Sequence, residues 1–252
     1  MSNIFLFDVD GTVTPPKQKM DSNFKIEFLR WMKDKEVYIV SGGSFPRIID
    51  QLGTDIVDGC AGVFACMGNI FYQQLDQINP SGFDEWQIIY ENNFRAPRGL
   101  KEKLKKIVED SGYHTKTGKH SLRREGMINF SIVGSNATPE QRREYTVYDL
   151  ENKEREALVD ALKKQYASLD FAIGGAVSID IFKIGDDKSQ IIDRHFDEAL
   201  EGNRILFVGD RIPFPGNDCS LALALRQHPN GCAYEVERWQ DTAELLKTEP
   251  FA

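Results

Sequence analysis

The sequence predicts an α/β protein, a doubly wound parallel-sheet core interrupted by an inserted α+β module. Two observations carry this expectation. The short apolar runs Ile4-Phe5-Leu6-Phe7, Val37 to Val40 and Ile205-Leu206-Phe207-Val208 have the texture of strands buried on both faces, and each stops at polar or glycine residues. Between the second and third runs, Met127 to Val133 and Val177 to Phe182 alternate apolar with polar residues, the texture of an antiparallel sheet with one polar face.

The first run leads straight into Asp8-Val9-Asp10-Gly11-Thr12. Phe24, Phe28, Leu29 and Met32 then recur at helical spacing before the second strand, which breaks at Ser41-Gly42-Gly43-Ser44, completing a βαβ unit. Pro46 suits the first turn of a further helix with Ile48, Ile49 and Leu52 on its apolar side, and Gly53 suits its C-terminal cap. Asn, Pro, Ser and Gly between Ile78 and Asp84 read as a linker. Leu100, Leu104, Ile107 and Val108 mark an amphipathic helix ending near Gly112. Thr138-Pro139-Glu140-Gln141 fits a capping box, and Leu158, Val159, Leu162 and Tyr166 mark another long helix. Parallel texture returns beyond Gly185, with a helix through Ile191, Ile192 and Phe196, and a last helix is signalled at Asp241-Thr242-Ala243-Glu244. The expected division is a core of residues 1–83 and 184–252 and an α+β cap of residues 84–183.

A chain of 252 residues can bury a substantial core. The net charge of -8, from 31 basic and 39 acidic residues, gives no electrostatic reason to bind nucleic acid or an anionic membrane, so a phosphorylated ligand needs local cations or a metal. Ile4 to Phe7 is too short for a signal peptide or a membrane span, and the chain reads as soluble and cytoplasmic. Cys60, Cys66, Cys219 and Cys232 form no C-x-x-C pair and read as reduced thiols. His114, His120, His195 and His228 share no ligand spacing.

In open α/β sheets ligands bind beyond the carboxyl ends of the strands, and three strand ends here deliver Asp8 with Asp10, Ser41 to Ser44, and Asp210. Two carboxylates two residues apart, where the chain begins to turn, let one attack while the other handles protons. An oxygen-rich set including Asp8 and Asp210 suits Mg2+. Asp8-Val9-Asp10-Gly11-Thr12, the Ser/Gly strand end, Lys188 and Gly209-Asp210 resemble, in this order, the four motifs of the haloacid dehalogenase (HAD) superfamily. The resemblance implies that Asp8 becomes an aspartyl-phosphate, that Asp10 is the acid/base, and that Lys188 balances charge. It also implies that Ser41 or Ser44, beside Gly43, holds a phosphate oxygen, and that Asp8, Asp10, Asp210, Asn217 and Asp218 surround the magnesium.

Nearly the whole chain is similar to the eukaryotic-type phosphomannomutase family of that superfamily. The matching phrases are Asp8 to Thr14 followed by Gln18-Lys19, Gly42-Gly43-Ser44, Gln51-Leu52-Gly53, Gly126 to Asn129, Gly174-Gly175, Ser178-Ile179-Asp180, and Pro215 to Asp218. The resemblance implies a cap that grips a hexose phosphate through Arg124, Ser178 and Asp180. It further implies mannose 1-phosphate/6-phosphate interconversion, a hexose 1,6-bisphosphate activator and a homodimer through the cap. Three phosphate-holding arginines of the family are replaced, by Lys17, Thr117 and Ser135. Losing two charge-assisted hydrogen bonds at Thr117 and Ser135 costs about 3 to 6 kcal/mol of binding. That weakness favours a sugar-phosphate phosphatase as the alternative, unless Lys116, Lys119 or Arg123 supplies the missing charge. A catalytically idle sugar-phosphate sensor is a third reading, opposed by the intact Asp8, Asp10, Lys188 and Asp210.

Overall fold

The computed structural model describes residues 2–74 and 86–252. Five parallel strands, β1 (Asn3–Phe7), β2 (Glu36–Val40), β3 (Gly62–Ala65), β10 (Arg204–Gly209) and β11 (Gly231–Glu235), form the main sheet. Antiparallel β4 (Ile70–Gln74) and β5 (Trp86–Glu91) extend it, in the order β11-β10-β1-β2-β3-β4-β5. Alternation along β1 sends Phe5 and Phe7 to one face and Ile4 and Leu6 to the other, and each face has its own core. The first face is covered by α1 (Ser22–Met32), α2 (Phe45–Leu52), α3 (Thr54–Asp58) and α9 (Trp239–Leu245). The second is covered by α7 (Asp197–Gly202) and α8 (Cys219–Arg226), with Ile191, Ile192 and Phe196 from the turn before α7. Burying a large apolar side chain on either face contributes about 1.5–3 kcal/mol.

The chain runs from β1 to β2 and β3 on one side and returns to β10 and β11 on the other, so the sheet's switch point lies between β1 and β10. A crevice opens there at the strands' carboxyl ends, where Asp8 and Asp210 stand.

Helix signals mostly mark true ends. Asp21 caps α1, its side chain accepting from the backbone N–H of Asn23 and Phe24 at 3.0 and 3.1 Å. Gly53 ends α2 at φ +87°, and Thr138 and Gln141 form the expected capping box of α5 (Pro139–Asn152). The last helix differs from expectation. It begins at Trp239, and Asp241 lies inside its first turn, reaching back to the backbone N–H of Arg238. Packing sets that start, since Trp239 stacks on Phe24 with ring centroids 5.4 Å apart and buried Thr242 donates to the carbonyl of Thr12.

The second sheet, β6 (Ser121–Arg124), β7 (Met127–Phe130), β9 (Ser178–Lys183) and β8 (Leu169–Gly174) in that order, is antiparallel throughout. One face packs on α4 (Leu100–Asp110), α5 and α6 (Glu154–Gln165) through Leu104, Tyr145, Val159, Ile179 and Ile181. The opposite face presents Asn129, Ser178 and Asp180 to the crevice. The first border of this module needs correction, because Trp86–Glu91 pairs with β4 in the main sheet, so the module cannot begin at residue 84. As an outer strand with Ile88 and Ile89 exposed, the segment lacks the alternation of a half-buried strand, so its sequence carries no signal of its place in the main sheet. The linker expected from Ile78 to Asp84 lies outside the described residues. We propose a core of residues 2–91 and 184–252 with a cap of residues 92–183.

His195 shows what burial does to a titratable ring. It sits among Tyr38, Phe64, Phe71 and Phe196, with Nε2 3.3 Å from the Tyr38 hydroxyl, and burial pushes its pKa below the ordinary 6.5. The folded protein therefore holds the neutral ring more tightly than the unfolded chain does. Stability from this site is complete above the unfolded value of 6.5 and is lost as pH falls below it towards the lower folded pKa. Thermal melts of His195→Phe from about pH 7 to about pH 5 should lose less Tm than those of the parent. Parallel Tm curves would assign the acid sensitivity to other groups.

Candidate active site

The turn after β1 builds the floor of the crevice. Gly11 N–H donates to the Thr14 carbonyl at 2.8 Å, and Gly11 itself has φ +97°. A Cβ at Gly11 would lie 2.4 Å from an Asp210 carboxylate oxygen, so only glycine lets the two strand ends come this close.

Asp8, at the end of β1, is buried and Lys188 is fully enclosed beneath it. The Lys188 ammonium donates to Asp8 Oδ1 at 2.6 Å, to Asp218 Oδ1 at 2.7 Å and to the Val40 carbonyl at 3.0 Å. Burial works against this ammonium, yet the Asp218 and Asp8 carboxylates overcome it and hold its pKa above the ordinary lysine value. Asp218 Oδ2 also accepts from the Arg211 backbone N–H at 2.9 Å. Asp8, Asp210 and Asp218 offer oxygens all within 4.8 Å of one another. Three carboxylates facing the Lys188 ammonium and the Arg211 guanidinium, whose Nε lies 3.4 Å from Asp210 Oδ2, still leave excess negative charge. Burial pushes Asp8 up to about 7, with Lys188 opposing and Asp218 adding, while burial and Asp8 together raise Asp210. A divalent cation would relieve that crowding, so the oxygen-only, charge-crowded set fits a hard metal ion.

Asp10 is held differently. Its Oδ1 accepts from Gln51 Nε2 at 2.9 Å and from the Lys17 backbone N–H. It stands apart from the three-carboxylate group. Gln51 is itself buried and also donates to Thr14 Oγ1 and the Gln18 carbonyl, both at 3.3 Å.

One recess of about 30 Å3 gathers most of the expected residues: Asp8, Asp10, Lys17, Ser41, Gly43, Arg124, Ser178, Asp180, Asp210 and Asn217. Ser41 lines it, and its Oγ accepts from Gly43 N–H at 3.0 Å, whereas Ser44 stands at the N-cap position of α2 without a side-chain cap bond and outside the lining. Asn217 turns its amide towards the cap, donating to Asp180 Oδ2 at 3.3 Å, and Asn129 donates to Asp180 Oδ1 at 2.7 Å. Burial raises the Asp180 pKa, with Arg124 and Asn129 opposing. Arg124 also donates to the Gly42 carbonyl, tying cap to core.

An adjoining chamber of about 430 Å3 holds cations that the sequence reading missed. Arg47 from α2 and Arg142 from α5 line it, and Lys17 and Arg47 line both spaces. Arg142 donates to the carbonyls of Ala137 and Ser135, both at 3.1 Å, while its buried Nη1 has no partner among the described residues. Burial, aided by Arg142 and Arg47, pushes the Lys17 ammonium down to about 7. Burial and Arg47 lower Arg142 as well. The candidate replacements do not reach this space. Lys116 donates to the Ser111 carbonyl at 2.9 Å and Arg123 faces the Phe94 carbonyl at 3.4 Å, while neither they nor Lys119 line the recess or the chamber. Arg142 and Thr146 lie one turn apart on α5 and share the chamber, a helical spacing legible once the capping box fixes the helix start.

Solved structures share the fold. The chain matches the C-terminal domain of Candida albicans trehalose-6-phosphate phosphatase with a TM-score of 0.61 and 18% identity, covering 97% of this chain and 90% of that one. It matches a truncated Plasmodium falciparum IMP-nucleotidase with a TM-score of 0.62 and 15% identity, covering 100% and 71%. Sequence relatives are closer. Phosphomannomutase 2 of Dictyostelium discoideum is 33% identical over 224 residues, 88% of this chain and 87% of that protein. The phosphomannomutase of Saccharomyces cerevisiae is 28% identical over 250 residues, covering 98% and 94%. The family model described as eukaryotic phosphomannomutase matches residues 25–249. The chain thus belongs to the eukaryotic phosphomannomutase family of HAD-superfamily phosphotransferases.

Proposed function

We propose that this protein interconverts mannose 1-phosphate and mannose 6-phosphate, moving a phosphoryl group to and from Asp8. One observation carries the reading: the cleft has two anion-receiving ends, Asp8 with Lys188 at one and Lys17, Arg47 and Arg142 at the other. A mutase must hold a hexose bisphosphate in either orientation, so it needs both ends, whereas a phosphatase needs only the first. The second end also answers the losses at Thr117 and Ser135, since charge returns from α2 and α5.

In this mechanism the Asp8 carboxylate attacks one phosphorus of a hexose 1,6-bisphosphate, forming the Asp8 oxygen–phosphorus bond as the phosphorus–sugar oxygen bond breaks and the hexose monophosphate leaves. Asp10, with Oδ1 fixed by Gln51 and the Lys17 N–H, uses Oδ2 to give the leaving sugar oxygen its proton. The free hydroxyl of a bound hexose monophosphate then returns a proton to Asp10 and attacks the aspartyl-phosphate, freeing Asp8 and forming a bisphosphate that turns end for end before its other phosphoryl group passes to Asp8. Lys188 offsets charge at Asp8 throughout, and Ser41 and the Gly43 region receive phosphate oxygens. Arg124, Ser178 and Asp180 grip the sugar from the cap. Magnesium held by Asp8 and Asp210, with Asp10, Asp218 and Asn217 around them, would supply charge neutralisation for the transferring phosphoryl group.

The activator is a hexose 1,6-bisphosphate, which loads Asp8. The proposed homodimer would use the cap, where Val147 and Leu150 of α5 are exposed. The proposed compartment is the cytoplasm, in keeping with four free cysteines. Among the described residues no helix is long and apolar enough to cross a membrane.

Phosphorus NMR tests the reading. With magnesium and mannose 1-phosphate, the 6-phosphate should accumulate only when a catalytic amount of hexose 1,6-bisphosphate is added. Release of free phosphate without isomerisation would instead make the protein a phosphatase.

A further inference from the structure

Behind the cap's sugar-facing turn lies a buried ion pair that touches neither the recess nor the outer chamber. Arg155, near the start of α6, is 5% exposed and Asp149, near the end of α5, is 7% exposed. Arg155 Nε donates to Asp149 Oδ2 at 2.8 Å, and the Arg155 backbone N–H donates to Asp149 Oδ1 at 2.8 Å. The far side of the guanidinium, Nη1, reaches the turn between β8 and β9, where it donates to the carbonyls of Gly175 at 3.2 Å and Ser178 at 3.3 Å. That turn has no slack of its own. A Cβ at Gly174 would lie 2.2 Å from Asp180 Oδ2, and Ser178 Oγ already donates to the Gly174 carbonyl at 2.9 Å.

We propose that Arg155, anchored by Asp149, is a positioning residue that fixes the spacing between the cap's two substrate-facing elements. One is α5, which carries Arg142 towards the remote phosphate, and the other is the turn that presents Ser178 and Asp180 to the sugar. A planar guanidinium can bind a carboxylate with one edge and two carbonyls with the other, which an ammonium cannot do in one geometry. The inference rests on the sugar-phosphate reading of the site and says which buried pair sets its reach.

The test compares two substrates in the full-length enzyme. Mannose 1-phosphate needs both cap elements, whereas p-nitrophenyl phosphate needs only the Asp8 end of the cleft. In Arg155→Lys the KM for mannose 1-phosphate should rise about tenfold with kcat nearly kept, while kcat/KM for p-nitrophenyl phosphate stays at the parent value. Asp149→Asn, which keeps the shape but weakens the anchor, should show the same split to a smaller degree and serves if the lysine variant does not fold. Equal losses on both substrates, or no loss on either in a variant with parent-like Tm, would overturn the positioning role. Failure of the parent on both substrates would instead sink the phosphoryl-transfer reading itself.

Discussion

Replacing Asp8 with Asn is expected to lower turnover by about 10,000-fold or more while leaving a folded protein. The amide keeps the volume of the carboxylate and still offers an oxygen to Lys188, now 2.6 Å from Asp8 Oδ1, but it removes the nucleophile. Folding should tolerate the change because Asp8 stands in a place crowded with negative charge, where burial and Asp218 already push its carboxyl up to about 7 against the pull of Lys188. The ammonium retains Asp218 at 2.7 Å as its charge partner. The check has two parts: steady-state turnover, and intact-mass detection of a phosphorylated protein after brief exposure to hexose 1,6-bisphosphate. The parent should gain one phosphoryl group and Asp8→Asn none. Turnover within tenfold of the parent would remove Asp8 as nucleophile.

The core and its chemistry were legible because they are local. Asp8, Asp10 and Asp210 follow short apolar runs, and a strand that ends in a turn delivers its next residues to one rim whatever the rest of the chain does. Lys188 and Asp218 were both findable by motif order, but their direct pairing was not, since 30 residues and a whole strand separate them. The cap grip was half legible. Alternation placed Ser178 and Asp180 on one face of β9, yet nothing local says that Asp180 will be held between Asn129 of β7 and Asn217 of the loop after β10. The remote cations were missed for a physical reason. Arg47 and Arg142 sit on helices 95 residues apart in sequence, and only the closure of cap over core brings them beside Lys17. Lys116, Lys119 and Arg123 lie near Thr117 and Ser135 in sequence, whereas the cleft takes its charge from whichever element lines it. The border at residue 84 failed because β5 leaves Ile88 and Ile89 exposed and so lacks a core strand's pattern.

Arg142→Ala is expected to raise the KM for mannose 1-phosphate about 10- to 150-fold, corresponding to the roughly 1.5 to 3 kcal/mol of one charge-assisted hydrogen bond. The buried Nη1 has no protein partner among the described residues, so the guanidinium enters the cleft with bonding capacity that a phosphate oxygen can use. Arg142→Ala also loses the bonds to the part-buried carbonyls of Ala137 and Ser135, so the KM change is to be read beside the Tm of the variant. Hydrolysis of p-nitrophenyl phosphate should be unchanged, since that ester needs only the Asp8 end. Bisphosphate-dependent isomerisation should suffer more than binding of either monophosphate, because each phosphate of the intermediate must occupy the Arg142 end in turn. Lys17 adds a second readout. Its ammonium is pushed down to about 7 by burial, Arg142 and Arg47, so the free enzyme near neutral pH carries it partly deprotonated. A phosphate dianion arriving beside it restores the charge, and binding above pH 7 should therefore take up a proton, measurable by calorimetry in two buffers of different ionisation enthalpy. Removing Arg142 relieves part of the repulsion that lowers Lys17, so the variant should bind with less proton uptake. Unchanged KM together with unchanged proton uptake would place the remote phosphate elsewhere in the cleft and leave Arg142 as a brace for the Ala137 and Ser135 carbonyls.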